Sequence, residues 1–156
     1  MFERFNDKAT SALMIAQQQA SQLGQRYVGT ELILIGVIAQ GDSLVSPIAR
    51  AAGITQQAVQ TAVESILKSE INRKQTFTDI PFTPGATQLL EQATKEAQQL
   101  DQSDVGPEHL LLAITSSNGS AAAKILQTLG IDLVKLRINI IRAVGERLPV
   151  PDGSKD

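Results

Sequence analysis

A chain of 156 residues with 42% apolar side chains is long enough for one compact domain that needs no covalent staples. The absence of cysteine excludes disulfides and thiolate metal sites, and fits a reducing compartment. A net charge of −2, with the basic residues scattered, leaves no electrostatic footprint for nucleic acid or an anionic membrane.

With four Phe, one Tyr and no Trp, the core must be built from Leu, Ile, Val and Ala. The first helix is predicted after Asn6, a capping residue. Ala9, Leu13, Ala16, Ala20 and Leu23 then step by four, three, four and three, tracing one helical face. The second helix starts near Thr30 and is apolar nearly all round at Leu32, Ile33, Leu34 and Ile35, the mark of a helix at the centre of a bundle. Its apolar run is far too short to span a bilayer. The third covers about residues 44–52 and stops at Gly53, where a helix C-terminus favours glycine. The fourth follows Thr55 and carries Val59, Val63 and Leu67. Residues 69–81 are polar, end in proline and read as a linker.

The same order then returns. Thr83-Pro84 opens a helix with a cap and a first-turn proline. A second helix begins near Pro107 and carries Leu110, Leu111 and Leu112. A third covers 121–129 before Gly130, and a fourth follows Asp132 with Leu136, Ile140 and Val144. A shift of 77 residues pairs Phe5 with Phe82, Leu13 with Leu90, Val28-Gly29 with Val105-Gly106, Glu31 with Glu108 and Gly53-Ile54 with Gly130-Ile131, without a gap. The expected fold is all-α: two tandem, pseudo-symmetric four-helix repeats making eight helices over residues 1–147. Repeat one spans 5–68, the linker 69–81 and repeat two 82–147. Residues 148–156 are expected to form a flexible tail.

Met1-Phe2-Glu3-Arg4-Phe5, Val28-Gly29-Thr30-Glu31, Ile80-Pro81-Phe82-Thr83-Pro84 and Val105-Gly106-Pro107-Glu108-His109 recur in order. Together they resemble the double-repeat N-terminal domain of Clp unfoldases, closest to the ClpC type. The resemblance implies a module that docks substrates and adaptor proteins and performs no chemistry. No G-x-x-x-x-G-K-[ST] loop is present to cradle a nucleotide phosphate. Two readings follow, and the favoured expectation is a stand-alone accessory protein similar to the ClpT type. The alternative is the substrate- and adaptor-receiving N-terminal domain of a ClpC-type unfoldase. Gln40-Gly41-Asp42-Ser43 and Ser117-Asn118-Gly119-Ser120, standing where the family usually has an acidic loop, favour the first. The implied partners are the Clp peptidase core or a Clp ATPase, with adaptors or substrates. Neither nucleic acid nor membrane is expected, and the protein should be a monomer of the cytoplasm or, with a transit peptide removed, of the plastid stroma. No signal-peptide pattern opens the chain.

Glu31 and Glu108 are the foremost candidate site residues. Each stands in the first turn of a second helix, where the helix dipole alone would favour it. The resemblance adds a role in binding phosphorylated arginine: the carboxylate suits the guanidinium, while helix N-termini and threonine hydroxyls suit the phosphate. Taken copy by copy, repeat one keeps Thr30 but has Asn6 in place of a first threonine. Repeat two keeps Thr83 but has Pro107 in place of a second. Each site then lacks one threonine, so free phosphoarginine is expected to bind weakly or not at all, with both glutamates solvent-accessible. Phe2, Phe5 and Phe82 are candidates for an apolar groove between the copies. Phe5 and Phe82 suit core packing beside a helix cap, and Phe2 is the better surface residue. His109, the only histidine, suits a structural place near a helix start. A Cys–His dyad is impossible and any Ser–His–Asp triad must use His109, so no catalytic residue, cofactor or metal is assigned.

Overall fold

The computed structural model describes residues 2–147. The eight predicted helices are present: α1 (Asp7–Gln22), α2 (Thr30–Gln40), α3 (Val45–Ala51), α4 (Gln56–Ile66), α5 (Pro84–Gln99), α6 (Pro107–Thr115), α7 (Ala121–Thr128) and α8 (Leu133–Arg147). The tail expected over residues 148–156 lies outside the described residues. Local capping explains most of the helix starts. Side-chain oxygens of Asn6, Thr55, Thr83 and Ser120 each accept a backbone N–H three residues on, at 2.9, 3.1, 3.0 and 3.1 Å. Each such cap is worth about 1 kcal/mol. Gly53 and Gly130 adopt φ values of +88° and +82°, which end α3 and α7 as the sequence pattern predicts.

The two apolar helices occupy the centre. Every residue of α6 is buried, as are Thr30 and Leu32 through Val37 in α2. α1 and α5 pack on the second helix of their own repeat, while α3 lies on α8 and α7 on α4, crossing between repeats. At the α1–α2 contact the backbones nearly touch, because a Cβ at Gly36 would overlap the Ala12 carbonyl. The linker has no regular element but is docked. Ile80 is buried, Asn72 N–H donates to the Leu23 carbonyl at 3.1 Å, and Gln25 Nε2 donates to the Glu70 carbonyl at 3.2 Å.

The repeats are not two units laid side by side. Phe5 forms a parallel bridge with Val105, and Val28 forms one with Phe82. Asn6 N–H donates to the Val105 carbonyl (2.9 Å) and Val105 N–H to the Arg4 carbonyl (2.7 Å). The counterparts, each displaced by the repeat length, are Thr83 N–H to the Val28 carbonyl (3.0 Å) and Val28 N–H to the Pro81 carbonyl (2.8 Å). Each repeat thus lends its entry segment to the other.

A polar cross-link between first and fourth helices also recurs, with its chemistry changed. In repeat one Gln60 Nε2 donates to Gln19 Oε1 at 3.0 Å. In repeat two the same positions hold Arg137 and Glu96, bonded through two guanidinium nitrogens at 2.8 and 3.1 Å. Glu96 is 2% exposed. Burial raises its carboxyl pKa, but hydrogen bonds from Arg137, Gln92 and Ser116 and the Arg137 charge outweigh that and hold it below the ordinary value.

Candidate docking cleft

The exchanged segments decide which candidate residues meet. Because Phe82 pairs with Val28, Thr83 at the start of α5 stands beside Gly29, Thr30 and Glu31 at the start of α2. A cleft of about 900 Å³ opens there, lined by Thr30, Glu31, Thr83, Glu70, Arg26 and Tyr27, and closed on the far side by the loop 117–121 that leads into α7. The threonine expected to be missing in repeat one is therefore supplied by repeat two. This corrects the copy-by-copy pairing, which took sequence neighbours for spatial ones.

Thr30, Thr83 and Glu31 each already have a structural task. Thr30 is buried, and its Oγ1 accepts Ala122 N–H at 3.1 Å, tying α2 to the first turn of α7. Thr83 Oγ1 accepts Ala86 N–H to cap α5. Both hydroxyls keep a proton, with no acceptor for it among the described residues. Glu31 is half-buried and its carboxylate folds back over the capping Gly29, in the space a Cβ there would fill. A glycine cap has no side chain for the helix amides, and the glutamate stands in for it. Burial pushes the Glu31 carboxyl above its ordinary value. A hydrogen bond with its own backbone opposes the rise, and nearby Glu70 adds to it. The arrangement offers hydroxyl protons and three helix N-termini to an anion, and a carboxylate to an adjacent cation.

The second set of residues falls together elsewhere and differs. Asn6 is spent on capping α1, Pro107 has no N–H to give, and Glu108 folds over Gly106 in the same manner. Glu108 is only 3% exposed, which overturns the expectation that both glutamates are accessible. The physical reason is that α6 is buried from its first turn onward, whereas the start of α2 borders the cleft. His109 is buried beside it, and its Nδ1 accepts Gly106 N–H at 2.9 Å, so the ring back-caps the helix.

Phe2, Phe5 and Phe82 do meet. The Phe2 ring lies 5.4 Å from Phe5, edge to face, and 6.1 Å from Phe82. Phe5 is buried, Phe82 partly so, and Phe2 is 45% exposed. The trio lies between the repeats but does not line the Glu31 cleft. Sequence reasoning missed Glu70, Arg26, Tyr27 and the 117–121 loop as cleft residues. No short motif marks them, because they reach the site only through the exchange. Among the described residues no group of three or more His, Asp or Glu side chains could hold a metal ion. No single helix among them is long and apolar enough to cross a membrane.

A family model described as the Clp repeat (R) N-terminal domain matches residues 4–129 and again 81–156. The chain is 43% identical, over 99% of its length, to a protein of Cyanidium caldarium described as an ATP-dependent Clp protease ATP-binding subunit ClpA homolog. It is 40% identical over 94% of its length to the chloroplastic chaperone protein ClpC of Pisum sativum. The chain spans 18% and 16% of the length of these two relatives. Among solved structures, the N-terminal domain of the chaperone ClpD from Arabidopsis thaliana superposes with a TM-score of 0.78 at 26% identity, covering 93% of this chain and 97% of that one.

Proposed function

The chain belongs to the Clp repeat N-terminal domain family, and from that premise we propose that it is a non-catalytic docking protein of a Clp protease system, receiving Clp subunits, adaptors or substrates. The observation that carries this reading is the open cleft in which Thr30, Glu31 and Thr83 come together. The ligand that suits it joins a cation to an anion on one side chain, as phosphorylated arginine does. The guanidinium would face the Glu31 carboxylate. The phosphate would take the hydroxyl protons of Thr30 and Thr83 at the helix starts.

The test is an NMR titration of the whole protein with phosphoarginine. Saturable amide shifts are expected at Thr30, Glu31, Thr83 and Gly85. A charge-assisted contact contributes roughly 1.5–3 kcal/mol, so Glu31→Ala should weaken binding about tenfold or more. Thr83→Ala should weaken it several-fold, while Asn6→Thr, at the other set, should change nothing. Absence of saturable shifts, or equal effects of Asn6 and Thr83 changes, would remove the cleft from the account.

A partner reading follows. Immobilised protein should retain Clp peptidase subunits or a Clp unfoldase from the native lysate, identified by mass spectrometry. Retention of nucleic-acid-binding proteins alone, lost at moderate salt, would sink it. The second reading, a substrate- and adaptor-receiving domain of a ClpC-type unfoldase, draws support from relatives several times longer than this chain. Both readings use the same cleft. In either, the protein acts as a monomer of the plastid stroma or cytoplasm.

A further inference from the structure

The loop that closes the cleft holds a reactive pair of its own. Ser117, Asn118, Gly119 and Ser120 line the cleft and lead into α7. Residues 116–120 carry no charge, and Asn118 and Gly119 are both exposed. Ser120 N–H and Ser120 Oγ both donate to the Ser117 carbonyl, at 2.9 and 2.7 Å, so the turn is held at its two ends. Its central residues take no part in that hold. Among the described residues the Asn118 side-chain amide makes no hydrogen bond, and Gly119 N–H has no acceptor.

An asparagine followed by glycine is open to attack by its neighbour. The Gly119 nitrogen, losing its proton, bonds to the Asn118 side-chain carbonyl carbon; ammonia leaves and a five-membered succinimide closes. Water then opens the ring. Opening at the side-chain carbonyl gives aspartate. Opening at the backbone carbonyl gives isoaspartate, with the chain running through the side chain. Either route consumes a water, releases an ammonia and leaves a carboxylate, and nothing is oxidised or reduced. The closure needs an unengaged amide, a free nitrogen and no side chain shielding it. Even an added Cβ at Gly119 would meet nothing within 4 Å, so no neighbour crowds the ring.

The other three asparagines lack these conditions. Asn6 Oδ1 caps α1, and the Asn72 side chain bonds Lys74 N–H and Gln75. Asn139 lies inside α8, where the next nitrogen belongs to the helix ladder. Asp7, Arg73 and Ile140 follow them, each with a side chain beside the nitrogen that would attack.

We propose that Asn118–Gly119 is a self-modification site, converting to aspartate or isoaspartate and so placing a negative charge on the loop that closes the cleft. The fold tolerates a carboxylate here. The matching loop of repeat one holds Asp42, and an anion just ahead of the Ser120 cap suits the α7 dipole. The cleft does not tolerate it as well, because a carboxylate added to Glu31 and Glu70 repels the phosphate of an incoming phosphoarginine. That consequence rests on the docking reading, whereas the conversion itself does not.

The test is to age the whole protein for several weeks at mildly alkaline pH and map it by peptide mass. The peptide holding Asn118 should gain about 1 Da and become a substrate for an isoaspartyl methyltransferase, the mark of the succinimide route. Peptides holding Asn6, Asn72 and Asn139 should keep their mass. Gly119 is outside the left-handed region and has open space around it, so valine fits there. Gly119→Val should slow the gain about tenfold or more, because a branched side chain shields the nitrogen. Asn118→Asp should bind phosphoarginine several-fold more weakly than fresh wild type while melting at the same temperature. The proposal is overturned if Asn118 keeps its mass while the free peptide acetyl-Ser-Asn-Gly-Ser-amide converts under the same conditions. It is equally overturned if Gly119→Val converts as fast as the wild type. Equal phosphoarginine affinity for Asn118→Asp would overturn the effect on the cleft. Fresh protein that takes no phosphoarginine would count against the docking reading alone, with the mass gain still deciding this one.

Discussion

Arg137→Ala is expected to destabilise the fold by about 3–5 kcal/mol, because it leaves the Glu96 carboxylate buried without its cation. Gln60→Ala, at the matching position, removes a neutral amide contact and should cost only about 1 kcal/mol. Urea melts of the two variants measure the difference. The double change Glu96→Gln with Arg137→Gln copies the solution of repeat one and should recover most of the loss. Equal costs for Arg137→Ala and Gln60→Ala would mean that Glu96 is not held by the guanidinium. The ion pair also sets a pH dependence. The Glu96 pKa is depressed in the folded protein, so its contribution is present above the unfolded carboxyl pKa and is lost as pH falls through the folded one. Glu31 runs the other way. Its folded pKa is raised, so its contribution to stability is present below the unfolded pKa and fades as pH rises through the folded value. Glu96→Gln should therefore reduce the loss of stability on acidification, and Glu31→Gln should steepen it.

Gly36→Val is expected to lower stability by about 3 kcal/mol, since the new side chain must push the Ala12 carbonyl of α1 away from α2. Repeat two holds Ala113 at the matching place, facing the position of Leu89 rather than of an alanine. There the two helices accommodate a methyl group, so Ala113→Gly should cost roughly 1 kcal/mol, mostly from helix propensity. Calorimetric melting of both variants reads the result. A Gly36→Val protein that melts with the wild type would show that α1 can shift without penalty, contrary to the close backbone approach.

Most of the helical layout was legible because its signals are local. Asn6, Thr55, Thr83 and Asp132 announce helix starts through side chains that reach two or three residues on, and Gly53 and Gly130 announce ends through their own backbone angles. The central place of α2 and α6 followed from helices apolar on every side. What escaped is what depends on distant parts of the chain. The alignment of copies makes Thr83 the counterpart of Asn6, and nothing in it says that Thr83 will stand beside Thr30. Glu31 and Glu108 occupy matching motifs, yet one borders a cleft and the other is buried. That contrast arises from the neighbours each helix start acquires, not from the motif.

The reciprocal bridges also have a mechanical consequence. A pull on the chain just before α1 does not first act on the helix it leads into. Tension entering at Arg4 meets the hydrogen bonds that join Arg4 and Asn6 to Val105, so the second repeat resists before the first begins to unravel. A pull along the linker toward Phe82 meets Val28 in the same way, and strains the first repeat before α5. Each half is thus the anchor against which the other is stretched. Extension from either point has to break the shared seam before any single helix pair can peel away.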